Sequence, residues 1–83
     1  MHAIEGAEES LRSLGFRVLR VRHHGEVARI EVAPEELPRL VEPAMAKAVD
    51  AAVRSHGFRY VAVDLRGYRL GSLNEGLVLT EVR

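Results

Sequence analysis

Hydrophobic residues recur at helical spacing in the first part of the chain and alternate with polar residues in the next part. The apolar positions of the first segment lie three or four residues apart, which predicts an amphipathic helix. They are Ile4, Ala7, Leu11 and Leu14. Gly15 follows at the position typical of a helix C-cap. Two alternating runs, Arg17 to His23 and Val27 to Val32, predict two strands.

The two strands are predicted to pair as a hairpin whose loop is His24 and Gly25. Their alternation then places the apolar side chains of both strands on one face, towards the core, and the charged side chains on the other face. The expected cross-strand pairs on the core face are Val21 with Ala28 and Leu19 with Ile30.

A second, longer helix is predicted to begin at Pro43, because the first turn of a helix accommodates proline. Its buried stripe is predicted to comprise Met45, Val49, Ala52 and Val53. His56 and Gly57 are predicted to end it. Before this helix, Pro34 and Pro38 leave room only for a short helical segment.

A third strand is predicted from Arg59 to Asp64. The preceding helix is long enough to cross over the sheet, which places this strand parallel to the second. The order helix, strand, strand, helix, strand predicts an α+β fold, a small mixed sheet with helices on one face. All of 1–83 is expected to be a single domain. Residues 65–83 are predicted to be an irregular tail, in which Leu77 to Val82 forms either a fourth strand or a subunit contact.

The composition of the chain argues against nucleic-acid binding, membrane association and cysteine chemistry. The 12 basic residues balance the 12 acidic ones, so no net field favours nucleic acid or an anionic membrane. The lack of cysteine excludes disulfides, thiolate metal sites and a cysteine nucleophile in this chain. No apolar run approaches the ~20 residues of a membrane span, and the N-terminus lacks the features of a signal peptide. We therefore expect a cytoplasmic protein that binds neither nucleic acid nor membrane.

The small size of the chain favours self-association. A domain of 83 residues buries only a modest fraction of its surface. Oligomerisation commonly supplies the missing stability where no disulfide or metal framework is visible. We therefore expect a homo-oligomer.

Arginines cluster on the outward face of the predicted hairpin. In the expected register Arg20 lies directly opposite Arg29, with Arg22 two positions along the strand. Like charges opposed across strands destabilise a sheet. Two interpretations stay open: water screens the arginines and Glu31 neutralises one of them, or an anion binds there.

The histidines offer little chemistry. His23 and His24 point to opposite faces of a strand, so a turn with one buried imidazole is favoured over a metal site. His56 is expected at a helix C-terminus, where partial positive charge is stabilising. The glycines of residues 67–72 lack the spacing and the lysine of a nucleoside-triphosphate loop.

Two stretches resemble the C-terminal domain of LarE-type sulfur transferases, which belong to the PP-loop superfamily. Residues 15–32 contain the blocks Arg-Val-Arg-His-His and Ala-Arg-Ile-Glu. Residues 57–75 contain Asp-Leu-Arg-Gly-Tyr-Arg-Leu-Gly-Ser-Leu-Asn-Glu. The resemblance covers roughly residues 5–76 and indicates kinship.

The resemblance implies roles for particular residues. Members of this family activate themselves with ATP in an N-terminal domain and give up a cysteine sulfur to the pyridinium precursor of a nickel-pincer cofactor. Residues similar to Arg20, Arg22 and Arg69 would hold a phosphate group of that substrate. Residues similar to Glu31 and Glu8 would hold a divalent cation such as Mg²⁺. The resemblance also implies a ring-like homo-oligomer.

The chain departs from the family pattern in ways that bear on activity. The ATP-binding Ser-Gly-Gly-x-Asp-Ser loop and the donor cysteine are absent. Leu70 stands where a small polar residue or arginine is common, and Leu73 where methionine is common. Adenylation and sacrificial sulfur transfer by this chain alone are therefore not expected.

Three hypotheses follow. The first is a non-catalytic module that binds a phosphate-containing ligand and works beside a separate PP-loop ATP-binding protein in cofactor or sulfur metabolism. The second is a structural, oligomerising domain that binds no ligand. The third, an independent enzyme, finds no matched nucleophile and base to support it.

Overall fold

The computed structural model of the protein describes residues 2–68. Within this range the elements are α1 (His2–Ser13), β1 (Leu19–His24), β2 (Val27–Val32), a 3₁₀ turn (Pro34–Glu36), α2 (Leu37–Leu40), α3 (Pro43–Arg54) and β3 (Tyr60–Val63). The predicted order is confirmed, and the short α2 occupies the proline-containing segment. The helices pack on one side of a mixed sheet, which confirms the predicted α+β fold.

The sheet has the strand order β1-β2-β3 within the described residues. β1 runs antiparallel to β2, and β3 runs parallel to β2, as predicted. The parallel pairing follows from α3, because a helical crossover returns the chain to the same end of the sheet.

The register of the hairpin differs by two positions from the predicted one. Its loop consists of Gly25 and Glu26, and His24 pairs with Val27. Gly25 has a φ of 59°, the positive rotation that the first loop residue of a type II′ turn requires. Because the shift is even, every side chain keeps its predicted face. The observed core-face pairs are Val21 with Ile30 and Leu19 with Val32.

The core lies between the helices and the inner face of the sheet. Its buried members come from every layer: Ala7, Leu11, Phe16, Leu19, Val21, Ala28, Ile30, Val32, Leu40, Val49, Val53 and Phe58. Val61 and Val63 of β3 point to this side but are only half-buried. The apolar stripes predicted for both long helices and for the hairpin therefore form a single core.

The segment after β3 turns back across the end of β2. The N–H of Gly67 donates to the carbonyl of Asp64 at 3.0 Å, and the N–H of Tyr68 donates to the carbonyl of Val32 at 2.7 Å. Gly67 is buried with a φ of 80°, and a Cβ there would lie 2.5 Å from the Val32 carbonyl oxygen. Only glycine fits this close approach, which brings Tyr68 onto the sheet.

Part of the predicted tail lies outside the described residues. This applies to the alternatives for Leu77 to Val82 and to the position of Arg69. Within residues 2–68, no helix has the length and apolar character needed to span a bilayer.

Substitution of Gly67 by alanine should destabilise the protein more than the same substitution at Gly25. Both glycines have positive φ, but a Cβ at Gly25 would meet no atom within 4 Å. We expect Gly67→Ala to lower the free energy of unfolding by about 3 kcal/mol and Gly25→Ala by about 1 kcal/mol. Urea denaturation measures both values, and equal losses would contradict the close approach.

Candidate functional site

Charged side chains line the face of the sheet that points away from the helices. Arg20 and Arg22 come from β1, and Arg29 and Glu31 come from β2. We call this surface, together with Asp64 after β3, the arginine face. In the observed register Arg22 lies opposite Arg29, and Arg20 lies opposite Glu31. The predicted pairing of Arg20 with Arg29 is therefore wrong, because the hairpin loop begins one residue later than expected.

Glu31 is the centre of the arginine face. Its Oε1 lies 3.4 Å from Nε of Arg22, and its Oε2 lies 3.4 Å from Nη1 of Arg29. Glu31 has its predicted orientation but is only 8% exposed, because the two arginines cover it. A carboxylate between them offsets the repulsion that two directly opposed arginines would otherwise have.

Asp64 supplies a second carboxylate to this face. Its Oδ2 accepts a hydrogen bond from Nη1 of Arg29 at 2.7 Å, and its Oδ1 accepts one from the backbone N–H of Arg66 at 2.9 Å. Arg29 therefore contacts two carboxylates. Its Nε is buried and has no hydrogen-bond partner among the described residues. Arg29 thus bridges the two carboxylates through its Nη1.

Arg20 and Arg22 contact fewer carboxylates than Arg29 does. Within residues 2–68, Arg22 uses only its Nε in a hydrogen bond, and Arg20 forms no ion pair. Arg20 instead donates from Nη2 to the hydroxyl of Tyr68 at 3.5 Å, and its guanidinium carbon lies 5.5 Å from the centre of the Tyr68 ring. Two guanidinium groups on one strand therefore present donors to solvent in the planar arrangement that suits phosphate or carboxylate.

The balance of charge on the face also favours an anion. Three arginines stand against two carboxylates, so one positive charge is in excess. Both carboxylates contact Arg29, and Arg20, which is exposed, contacts neither. The excess charge is therefore concentrated towards Arg20.

Glu8 serves the fold in the described structure. Its Oε2 accepts a hydrogen bond from the backbone N–H of Val21 at 3.0 Å, which satisfies a donor of β1, the strand at the edge of the sheet. Within residues 2–68, no three His, Asp or Glu side chains are grouped so that they could hold a metal ion. The assignment of a cation to Glu31 and Glu8 stays a prediction.

His23 and His56 line a cleft of about 190 Å³ at the other end of the sheet. His23 and His24 are both exposed, so the expected buried imidazole in the turn is wrong, because this end of the hairpin is open to solvent. His56 packs over Gly6, and its Nε2 shares a hydrogen bond with the hydroxyl of Ser10 at 3.0 Å. This contact ties the end of α3 to α1.

Asp64 and Tyr68 are the residues of the face that reasoning from sequence missed. β3 is parallel to β2 and pairs Ile30 with Val63, so Asp64 falls beside Glu31. That position follows from the strand pairing and could have been found from it. The position of Tyr68 depends on the turn at Gly67, which has no comparable signal.

Comparison with known proteins adds two relatives. No family model matches the chain. The chain is 38% identical over 79 residues to the pyridinium-3,5-bisthiocarboxylic acid mononucleotide synthase of Lactiplantibacillus plantarum, which covers 95% of this chain and 28% of that protein. It is 39% identical over 71 residues to an uncharacterised protein of Synechocystis sp., which covers 86% of this chain and 26% of that protein. The chain therefore spans about a quarter of the length of the curated relatives it matches.

Glu8 should act on stability without any metal ion. We expect Glu8→Ala to lower the free energy of unfolding by about 1–2 kcal/mol, because the Val21 N–H loses its acceptor. Glu8→Gln should cost less, since an amide oxygen still accepts. Urea denaturation with EDTA and with Mg²⁺ measures both variants. Glu9→Ala is the control: Glu9 is 78% exposed, and its loss should change stability by less than about 0.5 kcal/mol. A stabilisation by Mg²⁺ that Glu8→Gln abolishes would contradict this purely structural role.

Proposed function

We propose that this chain, a domain related to LarE, is a non-catalytic module that binds a phosphate-bearing ligand on its arginine face. The observation that carries the assignment is the unequal use of the arginines. Arg29 contacts both carboxylates, Arg22 contacts only Glu31, and Arg20 contacts neither within residues 2–68. A guanidinium with free donors on an electropositive face is a ready partner for a phosphate oxygen.

Glu31 orients Arg22 in this proposal. The carboxylate holds Nε of Arg22, so the opposite edge of the guanidinium, with its two Nη groups, faces outwards. That edge can donate two parallel hydrogen bonds to a phosphate group. Both oxygens of Glu31 contact arginines, which supports an orienting role over a role as a cation ligand.

Tyr68 holds Arg20 without neutralising it. An aromatic ring attracts a guanidinium through its quadrupole but carries no net charge. Arg20 therefore keeps its full positive charge for the ligand. Arg69 directly follows Tyr68 in the chain, and the module includes it as a third phosphate contact. Arg69 lies outside the described residues, so its role rests on the resemblance.

The chemical class of the ligand is a phosphomonoester. The relative from Lactiplantibacillus plantarum is named as the synthase of a pyridinium mononucleotide. The ligand proposed for this chain shares the phosphate group of such a compound. We assign no chemical step to the chain, which contains no cysteine to donate sulfur. The module would work in cofactor or sulfur metabolism beside a separate ATP-binding protein of the PP-loop type.

Binding should appear as a rise in melting temperature. A ligand that binds only the folded state at ten times its Kd should raise the melting temperature of a domain this small by about 6–10 °C. The panel is phosphate, AMP, nicotinic acid mononucleotide and Mg²⁺. We expect a rise with the phosphate compounds that Arg20→Ala plus Arg22→Ala abolishes.

The matched control is Arg12→Ala plus Arg54→Ala. It removes the same two charges from helices α1 and α3, where both arginines are paired and about half exposed. This variant should keep the shift of the wild type. The assignment fails if no phosphate compound raises the melting temperature, or if both double variants lose the shift equally, since only non-specific charge would then be at work.

A second candidate function, self-association, is favoured by the side of β3 that no strand among residues 2–68 covers. An apolar groove of about 270 Å³ lies beside this strand; it is lined by Leu40, Val41, Ala46, Val49, Asp50, Val61 and Val63. Within the described residues β3 pairs only with β2, so its other edge is a surface on which a second copy of the chain could dock.

Self-association should respond to a charge placed in this groove. Val41 and Val18 are 54% and 50% exposed, so aspartate at either position should be tolerated by the fold. Sedimentation velocity should show a dimer or larger oligomer that Val41→Asp shifts to monomer and Val18→Asp leaves unchanged. A monomer at all concentrations in the wild type would rule this candidate out.

A further inference from the structure

We infer that Asp64 and Arg29 form a positioning pair that sets the geometry of both phosphate-binding arginines, an inference that rests on the proposed function. Asp64 has no donor to offer an anion, and Nη1 of Arg29 is shared between two carboxylates. Their effect is indirect, through two routes that begin at a single carboxylate.

The first route runs from Asp64 to Arg22. Asp64 draws Nη1 of Arg29 to 2.7 Å, while the same nitrogen stays 3.4 Å from Glu31. Arg29 is therefore held more closely by Asp64 than by Glu31, and the Oε1 of Glu31 stays available for Nε of Arg22. Without the Asp64 carboxylate, Arg29 would turn fully to Glu31 as its only remaining acid, and the anchor of Arg22 would weaken.

The second route runs from Asp64 to Arg20. The other oxygen of Asp64 accepts the N–H of Arg66, and its backbone carbonyl accepts the N–H of Gly67. A side chain that bonds the backbone two residues on shapes a tight turn. This turn delivers Tyr68 to the carbonyl of Val32 and to the guanidinium of Arg20. The Asp64 carboxylate thus supports the partner of Arg20 as well.

Charge and position make opposite predictions for the loss of Asp64. If Asp64 acted only as a nearby negative charge, its neutralisation to asparagine would raise the positive potential of the face and tighten the binding of an anion. If Asp64 positions Arg22 through Arg29, the same change removes the charge that holds Arg29 and weakens binding, while the amide oxygen of asparagine keeps the turn to Arg66. The sign of the change in Kd therefore separates the two roles.

The experiment measures the Kd of inorganic phosphate and of AMP by calorimetry for the whole chain. The variants are Asp64→Asn and Asp64→Glu, with Asp50→Asn as the control. Asp50 pairs with Arg54 within α3 at 3.6 Å and is 50% exposed, so its substitution makes the same charge change in the helix layer. Circular dichroism confirms that each variant is folded at the temperature used.

We expect Asp64→Asn to raise the Kd about five- to tenfold, which corresponds to the net contribution of about one ordinary hydrogen bond. Asp64→Glu keeps the carboxylate for Arg29 but not the short side chain of the turn, so it should recover part of the affinity. Asp50→Asn should leave the affinity unchanged. The double variant of Asp64→Asn with Arg29→Gln should have a phosphate Kd no higher than that of the single variant with the higher Kd. Their effects should not add, because the two residues act through each other.

A spectroscopic readout separates positioning from a general loss of structure. In the wild type the Nε–H of Arg22 is hydrogen-bonded to Glu31, so its proton should exchange slowly with water in nuclear magnetic resonance spectra. Asp64→Asn should speed this exchange while the backbone amide signals of α1 and α3 stay in place. Asp50→Asn should change neither.

The outcomes distinguish this inference from the proposed function. If the wild type binds phosphate and Arg20→Ala plus Arg22→Ala abolishes it, but Asp64→Asn leaves the Kd unchanged or lowers it, the positioning role is overturned and the phosphate site stands. If the wild type binds neither probe, the phosphate site is overturned and the positioning role with it.

Discussion

The arrangement of the charged side of the sheet depends on one buried carboxylate, that of Glu31. The hairpin register sets Arg22 directly against Arg29, which is unfavourable unless a negative charge lies between them. Glu31 supplies that charge, and its 8% exposure means that its own burial is tolerated only because both oxygens contact arginines. The carboxylate and its two arginines are therefore stable only as a set, and the remaining groups on the face arrange themselves around it.

The topology of the sheet explains how residues far apart in sequence join this set. Because α3 carries the chain across the sheet, β3 runs parallel to β2 and finishes at the end where β2 finishes. Asp64 then emerges next to Glu31, within reach of Arg29. The positive φ of Gly67 lets the chain pass against the Val32 carbonyl, so Tyr68 arrives above Arg20. A β3 antiparallel to β2 would have left its last residue at the opposite end, beside the histidines.

Alternation and helical spacing were sufficient to predict the elements, their faces and the direction of β3. They were not sufficient for the register, because side chains alternate every two residues along a strand. A shift of the strand pairing by two positions therefore leaves every side chain on the same face. A loop at His24 and Gly25 and a loop at Gly25 and Glu26 bury the same side chains but oppose different arginines. The burial of Glu31 and the part played by Asp64 depend on that register and on pairing between distant strands. Neither can be obtained from a local pattern.

Arginine suits this face chemically, but 11 of the 12 basic residues of the chain are arginine, so the arrangement of contacts rather than the residue type sets the face apart. A lysine has a single nitrogen, so pairing with a carboxylate commits its charge at one point. Arginine separates the two tasks: Nε of Arg22 holds Glu31, and the far edge of the same planar group still presents two donors. The contacts are unequal: one arginine contacts both acids while its neighbours contact one or none. This arrangement suits the proposed site, because Glu31 and Arg29 fix the middle of the face and Arg20 and Arg22 beside them can bind an anion.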